Sequence, residues 1–164
     1  MPTTRVLFVC LGNICRSPAA EGVFVHLLAQ QGLGDRFVVD SAGTGGWHVG
    51  RRADDRMRAA AARRGIDLTS RARQIDLGDL HRFDHILTMD GDNLAAVQAL
   101  AREAGNPAGQ AQIEAMTRYC RHHSNAGEVP DPYYGGPQGF EHVLDLLEDA
   151  CGGLLETLVG ERRP

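Results

Sequence analysis

The chain has 164 residues, a net charge of −4 at pH 7 and a hydrophobic fraction of 43%. That length suffices to bury about two thirds of the unfolded surface in one domain. A sequence pI near 5.9 argues against nucleic acid as the main partner. No run approaches 18 consecutive apolar residues, and the apolar run at 6–9 is far too short for a secretory signal. We therefore expect a single cytoplasmic domain over residues 1–164, with no membrane partner.

All 17 basic residues are arginine, which excludes Schiff-base lysine chemistry and a lysine-containing Walker motif. The cysteines at positions 10, 15, 120 and 151 do not follow a zinc-binding spacing, and in a reducing compartment we expect free thiols. The histidines do not assemble into a metal site either, so the sequence predicts neither a metal nor a cofactor. Glu148 and Asp149, like Asp54 and Asp55, are interpreted as solvated helix positions.

Strands and helices are predicted to alternate from the N-terminus. A continuous β-rich apolar run predicts a buried strand at 5–9. Helical spacing of apolar residues predicts a helix at 19–31, which ends at Gly32. A second strand is predicted at 37–39, before the turn-rich segment 41–46. Two helices follow, at 54–64 and 76–82.

The second half of the chain continues the alternation, with a strand at 85–89, a helix at 93–104, a weaker strand at 112–116 and a closing helix at 140–159. The segment 121–139 is predicted to be one long loop, and long loops in compact domains are often functional. This order of elements predicts an α/β fold in which helices cover both faces of a parallel sheet.

The segment from Cys10 to Ser17 joins the first predicted strand to the first predicted helix. A cysteine followed six positions later by an arginine is common by chance in an arginine-rich chain, so the interpretation depends on this placement. In an open α/β sheet, the carboxyl end of a strand beside a helix N-terminus favours an anion. Gly12 and Asn13 also tolerate the left-handed backbone that a loop around a phosphate requires.

This phosphate-binding loop comprises Leu11, Gly12, Asn13, Ile14, Cys15 and Arg16, and Cys10 before it indicates attack on a phosphate monoester. A free thiol is only about 3% ionised at pH 7, but a helix N-terminus and a nearby arginine favour the nucleophilic thiolate. Arg16 offers a planar fork to two phosphate oxygens. Ser17 can donate a hydrogen bond to the sulfur when it leaves. The alternative is a buried structural Cys10 beside a surface Arg16.

These residues resemble the low-molecular-weight protein tyrosine phosphatases, and the resemblance extends over nearly the whole chain. The matching motifs follow in order at 10–18, 40–44, 47–50, 72–75, 83–84, 89–90 and 131–135. The resemblance implies a three-layer α/β sandwich with a four-stranded parallel sheet of order 2-1-3-4 and the phosphate-binding loop after strand 1. It also implies hydrolysis of phosphotyrosine through a phosphocysteine intermediate.

Residues 128–132 form a stiff turn, because Pro130 and Pro132 each restrict the residue before them. Spacing alone leaves Asp131 as either a solvated turn residue or a positioned acid. The resemblance to the Asp-Pro-Tyr motif implies that Asp131 is the general acid and then the base. It further implies a substrate rim of Leu11, Trp47, Tyr133 and Tyr134, although Trp47 by itself could also belong to the core.

The resemblance implies a hydrogen-bonded network of Asn13, Ser17 and Ser41 that braces the loop. Ser70 departs from a histidine in the animal members, and His48 replaces a frequent asparagine. Cys15 is either a small apolar filler or a redox partner that captures oxidised Cys10 as a disulfide.

Three further functions stay open from the sequence: a protein arginine phosphatase, a thiol-coupled arsenate reductase and a non-catalytic anion-binding module. Ile14 favours the tyrosine enzyme, because arginine phosphatases typically have threonine there, and the separation of Cys120 and Cys151 argues against arsenate reduction. The expected partners are proteins that carry phosphotyrosine, for example a bacterial tyrosine kinase. Inorganic phosphate and other oxyanions are expected ligands. The chain is expected to be a monomer or a weak dimer.

Overall fold

The computed structural model describes residues 3–161 as alternating strands and helices. The strands are β1 Thr4–Cys10, β2 Phe37–Gly43, β3 His85–Thr88 and β4 Gln112–Ala115. The α-helices are α1 Arg16–Gln30, α2 Asp55–Ala62, α3 Asp79–Arg82, α4 Gly91–Ala104 and α5 Pro137–Glu161. Short 3-10 turns lie at Gly34–Arg36 and Met116–Tyr119.

The four strands form one parallel sheet of order β2-β1-β3-β4, which confirms the predicted topology. β1 lies inside the sheet and pairs with β2 on one side and with β3 on the other. The carboxyl end of β1 therefore opens at the middle of one sheet edge, where open α/β folds bind ligands.

Successive residues of β1 face opposite layers, as the period of a strand requires. Val6 and Phe8 belong to a core shared with α1, α2 and α5. Leu7 and Val9 belong to a second core shared with α3 and α4. Both faces of the sheet are thus covered, which confirms the three-layer sandwich and explains why the run at 6–9 is apolar without alternation.

Several strands and helices begin or end at residues other than those that the sequence predicts. β2 continues through Ala42 and Gly43, because these residues pair with Val9 and Cys10. Part of the predicted turn at 41–46 is therefore strand. α1 already begins at Arg16, and α5 begins at Pro137, since proline is tolerated in the first turn of a helix.

The helices α2 and α3 are shorter than predicted, because aspartates cap them. Asp54 accepts a hydrogen bond from the Arg56 N–H and precedes α2 as its N-cap. Asp76 and Asp79 each accept the other's backbone N–H, at 2.9 and 3.0 Å, so the chain turns before α3 instead of extending it.

The interpretation of Asp149 as a solvated residue is wrong. Its carboxylate is 3% exposed and accepts the backbone N–H groups of Arg121, His122 and His123 and the Nδ1 of His123, all within 3.0 Å. Asp149 thereby holds the start of the long loop against α5. Asp54 is also largely buried, with 11% of its side chain exposed.

None of the helices within residues 3–161 is both long and apolar enough to cross a membrane.

Candidate active site

Cys10 is the last residue of β1 and Arg16 is the first residue of α1, so residues 11–15 form the turn between them. Cys10 and Arg16 are each only 3% exposed. Asn13 adopts the left-handed conformation, with φ of 57°. An amide side chain tolerates this conformation better than most residues, which is why the loop can double back over the helix N-terminus.

The backbone carbonyl and N–H groups of the loop differ in their hydrogen bonding. The carbonyl groups of Cys10, Leu11 and Ile14 accept hydrogen bonds from Thr44, Gly45 and Asp54. By contrast, no backbone N–H of residues 11–15 donates to a protein acceptor in the part of the chain that the structure describes. Buried N–H groups need a partner. A ring of such donors at a helix N-terminus is a site for an oxyanion.

A chain of hydrogen bonds runs from the Cys10 sulfur into the protein. The Sγ of Cys10 lies 3.0 Å from the Oγ of Ser17, which accepts from the Nδ2 of Asn13 at 2.8 Å. The same Nδ2 donates to Ser41 at 3.0 Å, and Ser41 donates to Glu21 at 2.6 Å. Since Ser17 accepts from Asn13, its own proton is left for one of two acceptors, the Cys10 sulfur at 3.0 Å or the carbonyl of Ala42 at 3.4 Å.

Two further residues complete this network. The Oδ1 of Asn13 accepts the backbone N–H of Arg73 at 2.9 Å, so the loop is also tied to the segment before α3. Burial raises the pKa of Glu21, against the lowering effect of hydrogen bonds from Ser41 and Ser70. Ser70, at which the sequence departs from the resemblance, thus contacts this network through Glu21.

The guanidinium of Arg16 is held by one of its nitrogens. NH1 donates to Oδ2 of Asp90 at 2.6 Å and to the carbonyl of Val129 at 3.0 Å. NH2 lies 3.8 Å from Oδ2 of Asp131. With NH1 engaged, the opposite edge of the guanidinium is left for oxygens of a bound anion.

The segment that carries Asp131 is tied to the start of α4. The Val129 N–H donates to the carbonyl of Met89 at 2.7 Å. The carboxylate of Glu128 accepts the N–H of Gly91, the first residue of α4, at 2.6 Å. These bonds bring Asp131 to the mouth of the loop, where 40% of its side chain is exposed.

One cavity of about 420 Å³ is lined by the predicted catalytic and rim residues and by His48. Its lining comprises Cys10, Leu11, Gly12, Ile14, Cys15, Arg16, Trp47, His48, Asp131, Tyr133 and Tyr134. Trp47 is 71% exposed, so it is not part of the core, and Tyr134 is 93% exposed. Leu11, Trp47, Tyr133 and Tyr134 therefore form exposed, mostly aromatic surface in the lining of the cavity.

The side chains of Asn13, Ser17 and Ser41 are buried and do not line the cavity. Burial, followed by the nearby carboxylate of Asp54, raises the pKa of the Cys15 thiol, which disfavours its thiolate. Cys120 and Cys151 do not line the cavity either. Within residues 3–161, no group of three or more histidine, cysteine, aspartate or glutamate side chains could hold a metal ion.

Sequence reasoning missed several residues that position the site. Asp90 was part of a matching motif at the carboxyl end of β3, and this location could have identified it as a partner of Arg16. Glu21, Glu128 and Arg56 have no local signal. The guanidinium of Arg56 lies 5.3 Å from the ring centre of Tyr133 and 4.8 Å from that of Phe140, and only the tertiary packing of α2 against α5 and the segment before it creates these contacts.

The fold and the loop define a class of α/β proteins that bind an oxyanion beside a cysteine and an arginine. The family model of the low molecular weight phosphotyrosine protein phosphatases matches residues 5–163. The chain belongs to this family.

Individual relatives agree with this assignment. The chain is 51% identical to a putative low molecular weight protein-tyrosine-phosphatase of Synechocystis sp., over 94% of this chain and 96% of the relative. The crystal structure of a protein tyrosine phosphatase from Entamoeba histolytica, with Hepes in the active site, has a TM-score of 0.90 and 40% identity over 98% and 100% of the two chains. The structure of a drosophila arginine phosphatase has a TM-score of 0.87 and 31% identity over 93% and 96%.

Proposed function

We propose that this chain hydrolyses phosphotyrosine in proteins, with Cys10 as nucleophile, Arg16 as phosphate ligand and Asp131 as general acid and base. The observation that carries the proposal is that these three side chains line one cavity together with a loop whose backbone N–H groups have no protein acceptor within residues 3–161. The family assignment supports the reaction class. A protein that only binds an anion does not need an acid at the mouth of the site.

In the first step the Cys10 thiolate attacks phosphorus, so the S–P bond forms while the bond from phosphorus to the phenolic oxygen breaks. The loop N–H groups and Arg16 stabilise the charge on the three non-bridging oxygens. Asp131 donates its proton to the leaving oxygen, which departs as tyrosine.

In the second step the Asp131 carboxylate takes a proton from water, and the water oxygen attacks the phosphocysteine. The new oxygen–phosphorus bond forms while the S–P bond breaks, and phosphate leaves with Cys10 restored as thiolate. The hydrogen bond from Ser17 stabilises the departing sulfur. Asn13 holds Ser17 in the orientation for this donation.

The cavity suits an aryl ester. Leu11 and Ile14 contribute apolar surface, and Trp47 and Tyr133 offer aromatic faces at its mouth. A phosphoarginine substrate brings a guanidinium instead of a phenyl ring, and the similarity to the drosophila arginine phosphatase makes it the second candidate. Arsenate reduction needs cysteines that resolve the oxidised intermediate, and Cys120 and Cys151 do not line the cavity.

A substrate panel tests the specificity. Peptides that carry phosphotyrosine, phosphoarginine or phosphoserine in one sequence context are compared by kcat/KM. We expect phosphotyrosine to exceed both others by at least about 100-fold, because the rim stacks on a phenyl ring and Asp131 assists its oxygen. Equal or faster hydrolysis of the phosphoarginine peptide would reassign the enzyme.

The Cys10→Ser variant tests the nucleophile. It should lose essentially all turnover and still bind vanadate, since the N–H ring and Arg16 are retained. A Cys120→Ser variant is the matched control, because it removes a thiol outside the cavity, and it should keep wild-type turnover. Residual turnover of the Cys10→Ser variant above about 1% would contradict the phosphocysteine mechanism.

A leaving-group series tests the acid. The Asp131→Asn variant should lose about 10²- to 10⁴-fold in kcat on phenyl phosphate, the range of general acid catalysis. It should lose much less on aryl phosphates with acidic leaving groups, which need no proton. Equal losses across the series would assign the acid to another residue.

We also propose that Cys15 protects the nucleophile from peroxide. Peroxide oxidises the Cys10 thiolate to a sulfenic acid, the Cys15 sulfur attacks that sulfur, and a disulfide forms as water leaves. Both thiols line the same cavity. After peroxide treatment, thiols should restore the activity of the wild type and not that of the Cys15→Ser variant, and equal recovery would refute the role.

A thiolate nucleophile requires a reducing compartment, so we propose that the enzyme acts in the cytoplasm. We propose a phosphotyrosine protein as its substrate, with a bacterial tyrosine kinase as one class of partner. The monomeric or weakly dimeric state stays a prediction that sedimentation analysis can test.

A further inference from the structure

Beside the rim, the chain forms a short ribbon from residues 50–52 and 71–72. The Gly50 N–H donates to the Ala72 carbonyl and the Ala72 N–H donates to the Arg51 carbonyl, both at 2.8 Å. Arg52 and Arg71 lie directly opposite each other as an antiparallel pair. Side chains of such a pair project on the same face, and like charges there destabilise the ribbon.

The three arginines Arg51, Arg52 and Arg71, here called the arginine patch, are exposed. The only side-chain bond of the patch within residues 3–161 is from NH1 of Arg71 to the Gly50 carbonyl, at 3.1 Å, and no carboxylate pairs with any of the three guanidinium groups there.

Four carboxylates on the neighbouring segments have other partners. Asp54 pairs with Arg56 at 2.9 Å and Asp55 with Arg58 at 3.2 Å. On the other side, Asp40 and Asp79 both pair with Arg73, at 3.0 and 2.9 Å. The arginine patch is therefore a local surplus of positive charge on a chain whose net charge is −4.

The arginine patch adjoins the mouth of the cavity. The Arg51 N–H donates to the carbonyl of His48 at 2.9 Å, and His48 lines the cavity together with Trp47. Trp47 and Val49 expose apolar surface beside it, at 71% and 59%. An extended peptide advances about 3.3 Å per residue, so residues a few positions from a bound phosphotyrosine extend beyond the mouth of the cavity.

We propose that the arginine patch binds aspartate and glutamate side chains that flank the phosphotyrosine of a protein substrate. This docking surface rests on the proposed function and adds a preference for acidic sequence context. Carboxylates between Arg52 and Arg71 would also relieve the repulsion of the opposed guanidinium groups, and planar guanidinium forks suit carboxylates.

The test compares two phosphotyrosine peptides that differ only in the flanking residues, Asp and Glu in one and Asn and Gln in the other. Exposed ion pairs contribute up to about fivefold each, so we expect a ratio of kcat/KM of about tenfold in favour of the acidic peptide at low salt. Raising the ionic strength to about 1 M should bring this ratio near one, because exposed charges are screened.

The variant R51Q/R52Q/R71Q should bring the ratio to about one at low salt. The variant R51K/R52K/R71K should retain most of it, which shows that charge and not folding is responsible. Arg102→Gln is the matched control, because Arg102 is an exposed arginine on α4 outside the cavity lining, and its ratio should stay at the wild-type value.

A wild-type ratio near one, or a triple glutamine variant that keeps the wild-type ratio, would overturn the docking surface. Failure of the proposed function has a different result: neither phosphotyrosine peptide would then be hydrolysed faster than its phosphoserine counterpart. Turnover of phenyl phosphate, which has no flanking residues, distinguishes the two failures, because it does not depend on the arginine patch.

Discussion

The carboxylate of Asp149 anchors the loop that carries the proposed acid, and removing it should destabilise the protein at one identifiable point. Asp149→Ala leaves the N–H groups of Arg121, His122 and His123 without their acceptor. At about 1 kcal/mol for each of the three lost backbone hydrogen bonds, the free energy of unfolding should fall by about 3 kcal/mol, and the contact of the half-exposed His123 ring adds little to this. Small domains are stable by only about 5–15 kcal/mol, so the loss is readily measured.

The pH dependence of this loss has a defined sign. Burial alone would raise the pKa of Asp149, but hydrogen bonds from Arg121, His122 and His123 outweigh it and hold the pKa well below its usual range. A carboxyl with a lowered folded-state pKa stabilises the fold above its unfolded pKa of about 3.9 and loses that contribution as the pH falls toward the folded value. The difference between wild type and Asp149→Ala should therefore shrink as the pH falls below about 4.

Urea unfolding at a series of pH values measures this difference. Glu148→Gln is the matched control, because Glu148 neighbours Asp149 on α5 but is 46% exposed and lies 3.3 Å from Arg64 in a surface ion pair. Its effect at pH 7 should stay below about 1 kcal/mol. If Asp149→Ala unfolds like this control, or if its deficit persists undiminished at pH 3, the anchoring role is refuted.

Three other changes have defined outcomes. Glu128→Ala removes the acceptor of the Gly91 N–H and should lower kcat on phenyl phosphate about tenfold with little loss on activated esters, whereas Glu128→Gln should restore it. Asn13→Ala removes three hydrogen bonds and should lower the free energy of unfolding by about 3 kcal/mol. Asn13→Gly removes the same bonds but tolerates positive φ, so it should be about 1 kcal/mol less destabilised. Thermal unfolding measures both variants. Trp47→Ala should raise KM for aryl phosphates several-fold at nearly unchanged kcat and stability, and a loss in kcat alone would contradict its place on the rim.

Much of the fold follows from local patterns in the sequence. The apolar run at 6–9 has no alternation because β1 is buried on both faces, and alternating strands and helices then require a parallel sheet. The anion-binding role of the loop after β1 is predictable from the sequence for the same reason, since a strand end beside a helix N-terminus favours an anion in this fold.

The partners of charged side chains cannot be predicted from local sequence patterns. Asp149 has the sequence context of a solvated helix residue, and only the approach of the loop start to α5 gives its carboxylate three backbone donors. Asp54 was misinterpreted likewise, because its burial depends on the packing of α2 near the loop. Such contacts join residues far apart in the chain, and no local pattern encodes them.

The residue types of the loop, its place between β1 and α1, and the stiff turn around Asp131 are properties of the sequence itself, because they depend on backbone preferences and short-range spacing. Only the tertiary structure decides that NH2 of Arg16 lies 3.8 Å from Asp131 and that Asp90 holds the other nitrogen. It also decides that three arginines beside the rim have no carboxylate partner within residues 3–161. Charge pairing acts over a few ångströms in space, whereas these residues are separated by tens of positions along the chain, so folding alone determines which charges are satisfied.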